Sequence, residues 1–310
     1  MSTYLVTGGA GFIGSHLCDA LLARGHSVRV LDDLSTGSLA NLRPEVVFIQ
    51  GDVADPAAVE DALDGADGCF HLAAIASVEK GMTDWLGTHR TNITGTIAVF
   101  DAIRRKGNQI PVVYASSAAV YGDCQTVPIT EASGRKPLSA YGADKYSCEL
   151  HARVASHVFG IPTTGLRFFN VYGPRQDPSS PYSGVLSLFM KSVLTRSAPT
   201  IFGDGEQSRD FTYVEDVATL LRKAGAAEGV SGQVYNAGNG GRYTLNTIWD
   251  EVQKLEGITL PAKYGPPREG DVRDSQADTR SAVRDLGHSP RFSIEEGLRL
   301  TLDWYRAENA

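Results

Sequence analysis

The sequence predicts an α/β fold, a doubly wound parallel sheet followed by a smaller mixed α/β domain. Short, nearly continuous apolar runs alternate with helical segments up to Phe169. That is the pattern of strands buried on both faces by crossover helices. From Gly173 onward the elements shorten and turn-forming residues multiply. A chain of 310 residues is also long enough for its core to split in two.

The first strand is Tyr4-Leu5-Val6-Thr7, followed by a helix from Ser15 to Arg24 that Gly25 stops and by the strand Ser27-Val28-Arg29-Val30-Leu31, which completes a βαβ unit. Strands follow at Val46-Val47-Phe48-Ile49 and Cys69-Phe70-His71-Leu72. A helix carries Ile93, Ile97, Phe100 and Ile103 on one face, and Val112-Val113-Tyr114-Ala115 is the fifth strand. A Pro/Gly-containing stretch leads to a helix from Tyr141 to Phe159 and a strand from Thr163 to Phe169. The loop from Gly173 to Pro181 sets the expected boundary: residues 1–172 form the first domain and 173–310 the second, with some segments returning to the first. Beyond it lie the turns Gly203-Asp204-Gly205 and Gly238-Asn239-Gly240-Gly241, a helix from Thr244 to Glu256 ended by Gly257, and a helix opened by the capping pair Ser293 and Glu296.

With 29 basic against 36 acidic side chains the net charge is -7, and the longest basic run is Arg104-Arg105-Lys106. Clustered positive charge is thus missing, which argues against a nucleic-acid or anionic-membrane partner. The chain opens without the basic start and apolar run of a signal peptide and contains no membrane-length apolar stretch, so a soluble cytoplasmic protein is expected. Cys18, Cys69, Cys124 and Cys148 are widely spaced, and the seven histidines form no ligand pair, so no metal is expected.

Gly8, Gly11 and Gly14 follow the first strand and open the first helix. A turn free of Cβ, then the unpaired amides of a helix N-terminus at Phe12 and Ile13, suits a pyrophosphate. Asp32 ends the second strand, 18 residues after Gly14. A carboxylate there accepts both adenosine ribose hydroxyls and repels a 2′-phosphate, so the expected cofactor is NAD, on a Rossmann-like first domain. Asp52 and Val53 after the third strand, and Leu72, Ala73 and Ala74 after the fourth, are further cofactor candidates.

Tyr141 and Lys145 stand four apart at a helix start and share one face. Ser116-Ser117 ends the fifth strand, on the side where open α/β sheets bind ligands. A neighbouring cation favours an ionised phenol. A serine, a tyrosine and a lysine beside NAD therefore make a base that takes a proton from a carbinol while hydride leaves its carbon.

The segments Thr7–Gly14, Ser117-Ala118-Ala119-Val120-Tyr121-Gly122 and Tyr141–Lys145 resemble the extended short-chain dehydrogenase/reductase superfamily. With Arg167-Phe168-Phe169-Asn170-Val171-Tyr172-Gly173 and Ser208-Arg209-Asp210-Phe211, the chain resembles nucleotide-sugar 4-epimerases, most of all the bacterial enzymes acting on UDP-N-acetylglucosamine. The resemblance implies an NAD domain, a smaller sugar-nucleotide domain and a homodimer formed through two helices per subunit. It implies Tyr141 as base, Lys145 on the nicotinamide ribose, Ser117 as relay at sugar O4 and Asn92 as support for the cofactor pocket. It further implies Asn170 and Arg209 on the diphosphate, with Arg268 and Asp271 on the phosphate and uridine ribose.

Two departures bear on the substrate. Where hexose-type epimerases carry a lysine after the fourth strand, this chain reads Ile75-Ala76-Ser77, leaving Ser77 to take part of that contact. Ser275 stands where the family places a steric gate on the sugar's 2-substituent, and a small residue there leaves room for an N-acetyl group. UDP-N-acetylhexosamines are therefore the expected substrates, with UDP-glucose and UDP-galactose tolerated. A 4,6-dehydratase would need an acid and a base where Ala118 and Ala119 stand. A UDP-glucuronate epimerase or decarboxylase stays open, because Arg175 or Arg268 could pair with a carboxylate. So does a noncatalytic NAD-binding protein, although such a protein has no need of a proton relay.

Overall fold

The computed structural model describes residues 1–107, 109–177, 184–267 and 271–308. In chain order its first part runs β1 (Thr3–Thr7), α1 (Phe12–Leu22), β2 (Ser27–Asp32), β3 (Val47–Gln50), α2 (Pro56–Ala62), β4 (Gly68–His71), α3 (Val78–Thr83), α4 (Trp85–His89), α5 (Gly95–Lys106), β5 (Val112–Ser117), α6 (Ala140–Phe159) and β6 (Thr163–Phe168). There follow β7 (Asn170–Tyr172), α7 (Val185–Leu194), β8 (Thr200–Phe202), β9 (Ser208–Arg209), β10 (Phe211–Tyr213), α8 (Val214–Ala226), β11 (Gln233–Ala237), β12 (Tyr243–Thr244), α9 (Leu245–Glu256), β13 (Lys263–Gly265), α10 (Arg280–Leu286) and α11 (Ile294–Glu308).

Seven of the strands form one sheet, in the order β11-β6-β5-β4-β1-β2-β3, with every pair parallel. Strand order reverses between β1 and β4, which opens a crevice at their carboxyl ends. Both faces of the sheet are covered. Leu5 joins a cluster with Val59, Val99, Ile103 and Ala152, while the next residue, Val6, joins one with Leu17, Leu21, Leu220 and Leu221. Successive side chains of a strand point to opposite faces, so this pairing makes β1 a fully buried strand. A third cluster unites Tyr172, Phe189, Phe211, Trp249, Leu298 and Leu302 beneath α7, α9 and α11. The main sheet draws β11 from beyond residue 172, and Val217, Leu220 and Leu221 of α8 pack beneath it.

Local signals account for most boundaries. Helix α1 begins at Phe12, earlier than the expected Ser15, because Gly11 serves as its N-cap in an extended conformation. Ser139 caps α6 by accepting the Gly142 amide at 3.1 Å, and Gly160, with φ of 68°, ends it. Ser293 accepts the Glu296 amide at 3.1 Å at the start of α11. The helix expected around Ile93 is longer than its apolar spacing suggests, since a π-helical turn at Arg90–Thr94 links α4 to α5 without leaving helical dihedrals. Among the described residues no helix is long and apolar enough to cross a membrane.

Candidate active site

The turn after β1 is shaped by close backbone contacts. Gly8 has φ of +70°, and a Cβ on it would lie 2.7 Å from the Ala73 nitrogen, so the segment after β4 touches this turn directly. A Cβ on Gly14 would lie 2.2 Å from the Gly8 carbonyl oxygen, so only glycine lets α1 sit on the turn. No side chain caps α1, which leaves its first-turn amides, those of Phe12 and Ile13 among them, for a ligand.

At the end of β2 the Asp32 carboxylate accepts the Ala10 amide at 3.0 Å and the Leu34 amide at 2.9 Å. Burial raises its pKa against the pull of those two bonds. Asp52 accepts the Ala54 amide at 2.8 Å and pairs with Arg90 from the π-helical turn. Partial burial opposes its ionisation, but the Ala54 amide and Arg90 together hold its pKa below the usual value. Val53 beside it is buried against Gly95, where a Cβ would lie 2.6 Å from Val53 Cγ1.

The floor of the crevice is cross-linked. Leu72 donates its amide to the Thr7 carbonyl at 3.1 Å and Ala73 donates to Thr7 Oγ1 at 3.2 Å, with half-buried Ala74 next in the chain. Asn92 accepts the Ile75 amide at 2.8 Å and donates to its carbonyl at 3.3 Å, so the π-helical turn clamps the segment after β4. His71 bridges Thr7 (2.8 Å) and Thr96 (3.0 Å). Burial, and then the charge of Lys145, push its pKa down to about 3, so the ring is neutral. Glycine turn, uncapped helix, Asp32 and backbone-lined crevice together fit a dinucleotide.

The three residues expected to move protons converge at the end of β5. Ser117 is its last residue, and its Oγ accepts the Ala119 amide at 3.1 Å to open a 3-10 turn over Ala118–Tyr121. A Cβ on Gly142 would lie 2.7 Å from the Ala119 carbonyl oxygen, which brings the first turn of α6, and with it Tyr141, against that turn. Lys145 is 4% exposed, with Nζ 6.0 Å from the centroid of the Tyr141 ring and 3.0 Å from the Ala115 carbonyl oxygen. Ser77 is buried, and its Oγ accepts the Lys80 amide at 2.9 Å as the N-cap of α3. That helix packs on the start of α6, where a Cβ on Gly81 would lie 3.4 Å from Ala140 Cβ.

Asn170, Arg209, Asp271 and Ser275 also come together. The Asn170 amide donates to the Asp210 carbonyl at 3.0 Å, and the Ser275 amide to the Ser208 carbonyl at 3.1 Å. Arg209 and Asp271, expected to contact different parts of a ligand, form an ion pair with each other. Arg268 lies outside the described residues. Asp210, absent from the sequence reading as a site residue, organises this region: its buried carboxylate accepts the amides of Asn239 (2.8 Å), Gly240 (2.9 Å) and Ala277 (3.0 Å).

Another feature escaped the sequence reading. Glu149 and Arg167 form a bidentate ion pair at 2.7 and 2.8 Å, their side chains 6% and 3% exposed. Ser116 donates to the same carboxylate at 2.5 Å. The available signal was helical spacing, since Glu149 lies one turn past Lys145 and two past Tyr141.

The NAD dependent epimerase/dehydratase family matches residues 4–238. A UDP-glucose 4-epimerase of Mycolicibacterium smegmatis is 34% identical over 308 residues, 97% of this chain and 98% of its own. The solved UDP-N-acetylglucosamine 4-epimerase of Methanobrevibacter ruminantium, in complex with UDP-N-acetylmuramic acid, is 36% identical with a TM-score of 0.94 and covers 99% of each chain. The UDP-glucuronic acid 4-epimerase of Bacillus cereus, solved with UDP-glucuronic acid and NAD, is 31% identical with a TM-score of 0.91, again over 99% of each chain.

Proposed function

The chain belongs to the NAD dependent epimerase/dehydratase family, with NAD as its cofactor, and we propose that it inverts C4 of a UDP-sugar, preferring UDP-N-acetylglucosamine and UDP-N-acetylgalactosamine and tolerating UDP-glucose and UDP-galactose. The observation that carries the reading is the convergence of Ser117, Tyr141 and Lys145 at the carboxyl end of β5, beside the crevice where strand order reverses.

In this reading Gly8, Gly11, Gly14 and the amides of Phe12 and Ile13 hold the pyrophosphate, and Asp32 holds the adenosine ribose. Asp52, Val53, Leu72, Ala73 and Ala74 line the rest of the cofactor site, and Asn92 keeps its wall in place. Bound in that site, NAD would supply reversible hydride acceptance at sugar C4, with return to the other face of the keto sugar. Tyr141 takes the O4 proton through Ser117 and gives it back once the 4-keto sugar has turned over. Lys145 keeps a positive charge beside the tyrosine ring. Asn170, Arg209 and Arg268 take the diphosphate, and Asp271 the uridine ribose, so the Arg209–Asp271 pair opens or shares its contacts when substrate arrives. Ser77 contributes a hydroxyl at the sugar. No net redox change occurs, so NAD stays bound between turnovers.

The small side chain of Ser275 supports an N-acetylated sugar. Of the two arginines that could pair with a glucuronate carboxylate, Arg175 donates Nη2 to the Asp19 carboxylate of α1 at 2.8 Å. Alanines at 118 and 119 leave a dehydratase without its acid and base.

Proton NMR of purified protein without added cofactor, on UDP-N-acetylglucosamine and separately on UDP-glucose, tests the reading. Faster inversion at C4 of the acetylated sugar is the expected result. A need for stoichiometric added NAD with accumulation of NADH would overturn the mechanism, and, with UDP-glucuronate run as a third sample, product from it alone would overturn the substrate.

A further inference from the structure

We propose that Ser116, Glu149 and Arg167 are positioning residues that set where Ser117 stands relative to Tyr141. The inference rests on the reading of Ser117 and Tyr141 as the proton relay.

Tyr141, Lys145 and Glu149 follow one another at four-residue intervals along one face of α6. The last two grip successive residues at the end of β5: Lys145 donates to the Ala115 carbonyl at 3.0 Å, and Glu149 accepts from Ser116 Oγ at 2.5 Å. The next residue is Ser117. Glu149 is itself held in direction by the adjacent strand, since Arg167 of β6 donates Nε to Oε1 and Nη2 to Oε2. Such a two-point contact fixes the orientation of the carboxylate as well as its distance.

The far side of the serine's turn is fastened to the same arginine. Arg167 Nη1 donates to the Tyr121 hydroxyl at 2.6 Å, and its guanidinium stacks 4.8 Å from the centre of that ring. Tyr121 ends the 3-10 turn that Ser117 begins, and its hydroxyl donates to Asn236 Oδ1 of β11 at 2.6 Å. Asn236 in turn donates to the Ile129 carbonyl at 2.8 Å. The turn is thus tied through Ser116 before it and Tyr121 at its end, with one ion pair between the two ties. A buried ion pair is seldom better for stability than apolar packing of the same volume. What this one supplies is a fixed direction for a hydroxyl one residue from the relay.

Removing Glu149 or Arg167 leaves the opposite charge buried and alone, which destabilises the fold whatever the pair's role. Ser116→Ala is the discriminating variant, because it deletes one hydroxyl and leaves the ion pair whole. Its kcat on UDP-N-acetylglucosamine should fall roughly 10- to 100-fold, the cost of a misplaced reacting group, with KM and bound NAD as in wild type and Tm lowered only by the loss of one hydrogen bond to a buried carboxylate. In the Ser117→Ala background the same change should cost nothing further, because there is no relay hydroxyl left to position. Unchanged kcat, a loss accounted for by unfolded or NAD-free protein at the assay temperature, or full additivity with Ser117→Ala would overturn the inference while leaving the reaction intact. A wild-type protein that inverts no UDP-sugar would overturn the reaction itself.

Discussion

Lys145 donates from Nζ to the carbonyl oxygen of Ala115 at 3.0 Å, which fastens the helix carrying Tyr141 to the strand that ends in Ser117. The bond fixes the lysine's reach and leaves two of its three ammonium hydrogens for other partners. The proposed base and its proposed relay are thereby presented together at the mouth of the crevice.

Tyr141→Phe keeps the ring that packs at the start of α6 and removes only the hydroxyl. Turnover should fall by about 10²- to 10⁴-fold, the usual contribution of a positioned acid–base group, with folding and bound NAD unchanged. Activity by NMR beside NAD content of the purified variant checks this, and wild-type turnover would remove Tyr141 from the mechanism.

Ser275→Tyr should discriminate between sugars. Filling the space at this buried position overpacks against an acetamido group, which costs ~1–3 kcal/mol, or roughly 10- to 100-fold, on UDP-N-acetylhexosamines and far less on UDP-glucose. The ratio of kcat/KM for the two substrates is the measurement, and equal losses would refute the gate.

Gly14→Ala should empty the cofactor site. The new methyl would lie 2.2 Å from the Gly8 carbonyl oxygen, a backbone atom that cannot swing aside, so α1 must lift from the turn. A stability loss of about 1–3 kcal/mol and purification without NAD are expected, by Tm and by NAD release on denaturation.

Acid should weaken the fold through two histidines held neutral, His71 buried and His16 half-buried. His71 has its pKa lowered to about 3 by burial and by Lys145, and His16 to about 4, chiefly by burial. Unfolded, each titrates near 6.5, so below that pH the unfolded chain binds protons that the folded chain refuses. The stabilisation is complete above pH ~6.5 and falls as pH drops toward the folded values, by on the order of 3 kcal/mol for His71 at pH ~4. A His71→Asn variant should therefore show a shallower fall of Tm between pH ~6.5 and ~4. An unchanged slope would exclude His71 as a source.

Ile97 on α5 and Leu150, Val154 and Val158 on α6 are exposed apolar residues on neighbouring helices. If they form a homodimer interface, Leu150→Glu combined with Val154→Glu should shift the sedimenting species from dimer to monomer while Tm changes little. A monomeric wild-type protein would refute the expectation.

What sequence could reveal was local. Glycines at 8, 11 and 14 mark a turn, in which a Cβ at Gly8 or Gly14 would run into backbone, and the four-residue step from Tyr141 to Lys145 reads as one helix face. Alternating apolar runs likewise announce a parallel sheet, since strands buried on both faces need nothing else. Contacts between distant residues carry no such periodicity. The arrival of β11 beside β6, the pairing of Glu149 with Arg167 and of Arg209 with Asp271, and the three amides gathered by Asp210 all depend on how packed elements meet. The sequence by itself determined backbone conformation and which face of each element is apolar, because these follow from neighbours a few residues apart. Only the tertiary structure decided which buried charge meets which, because desolvation makes each buried charge find a partner, and only the closed core sets which one is within reach.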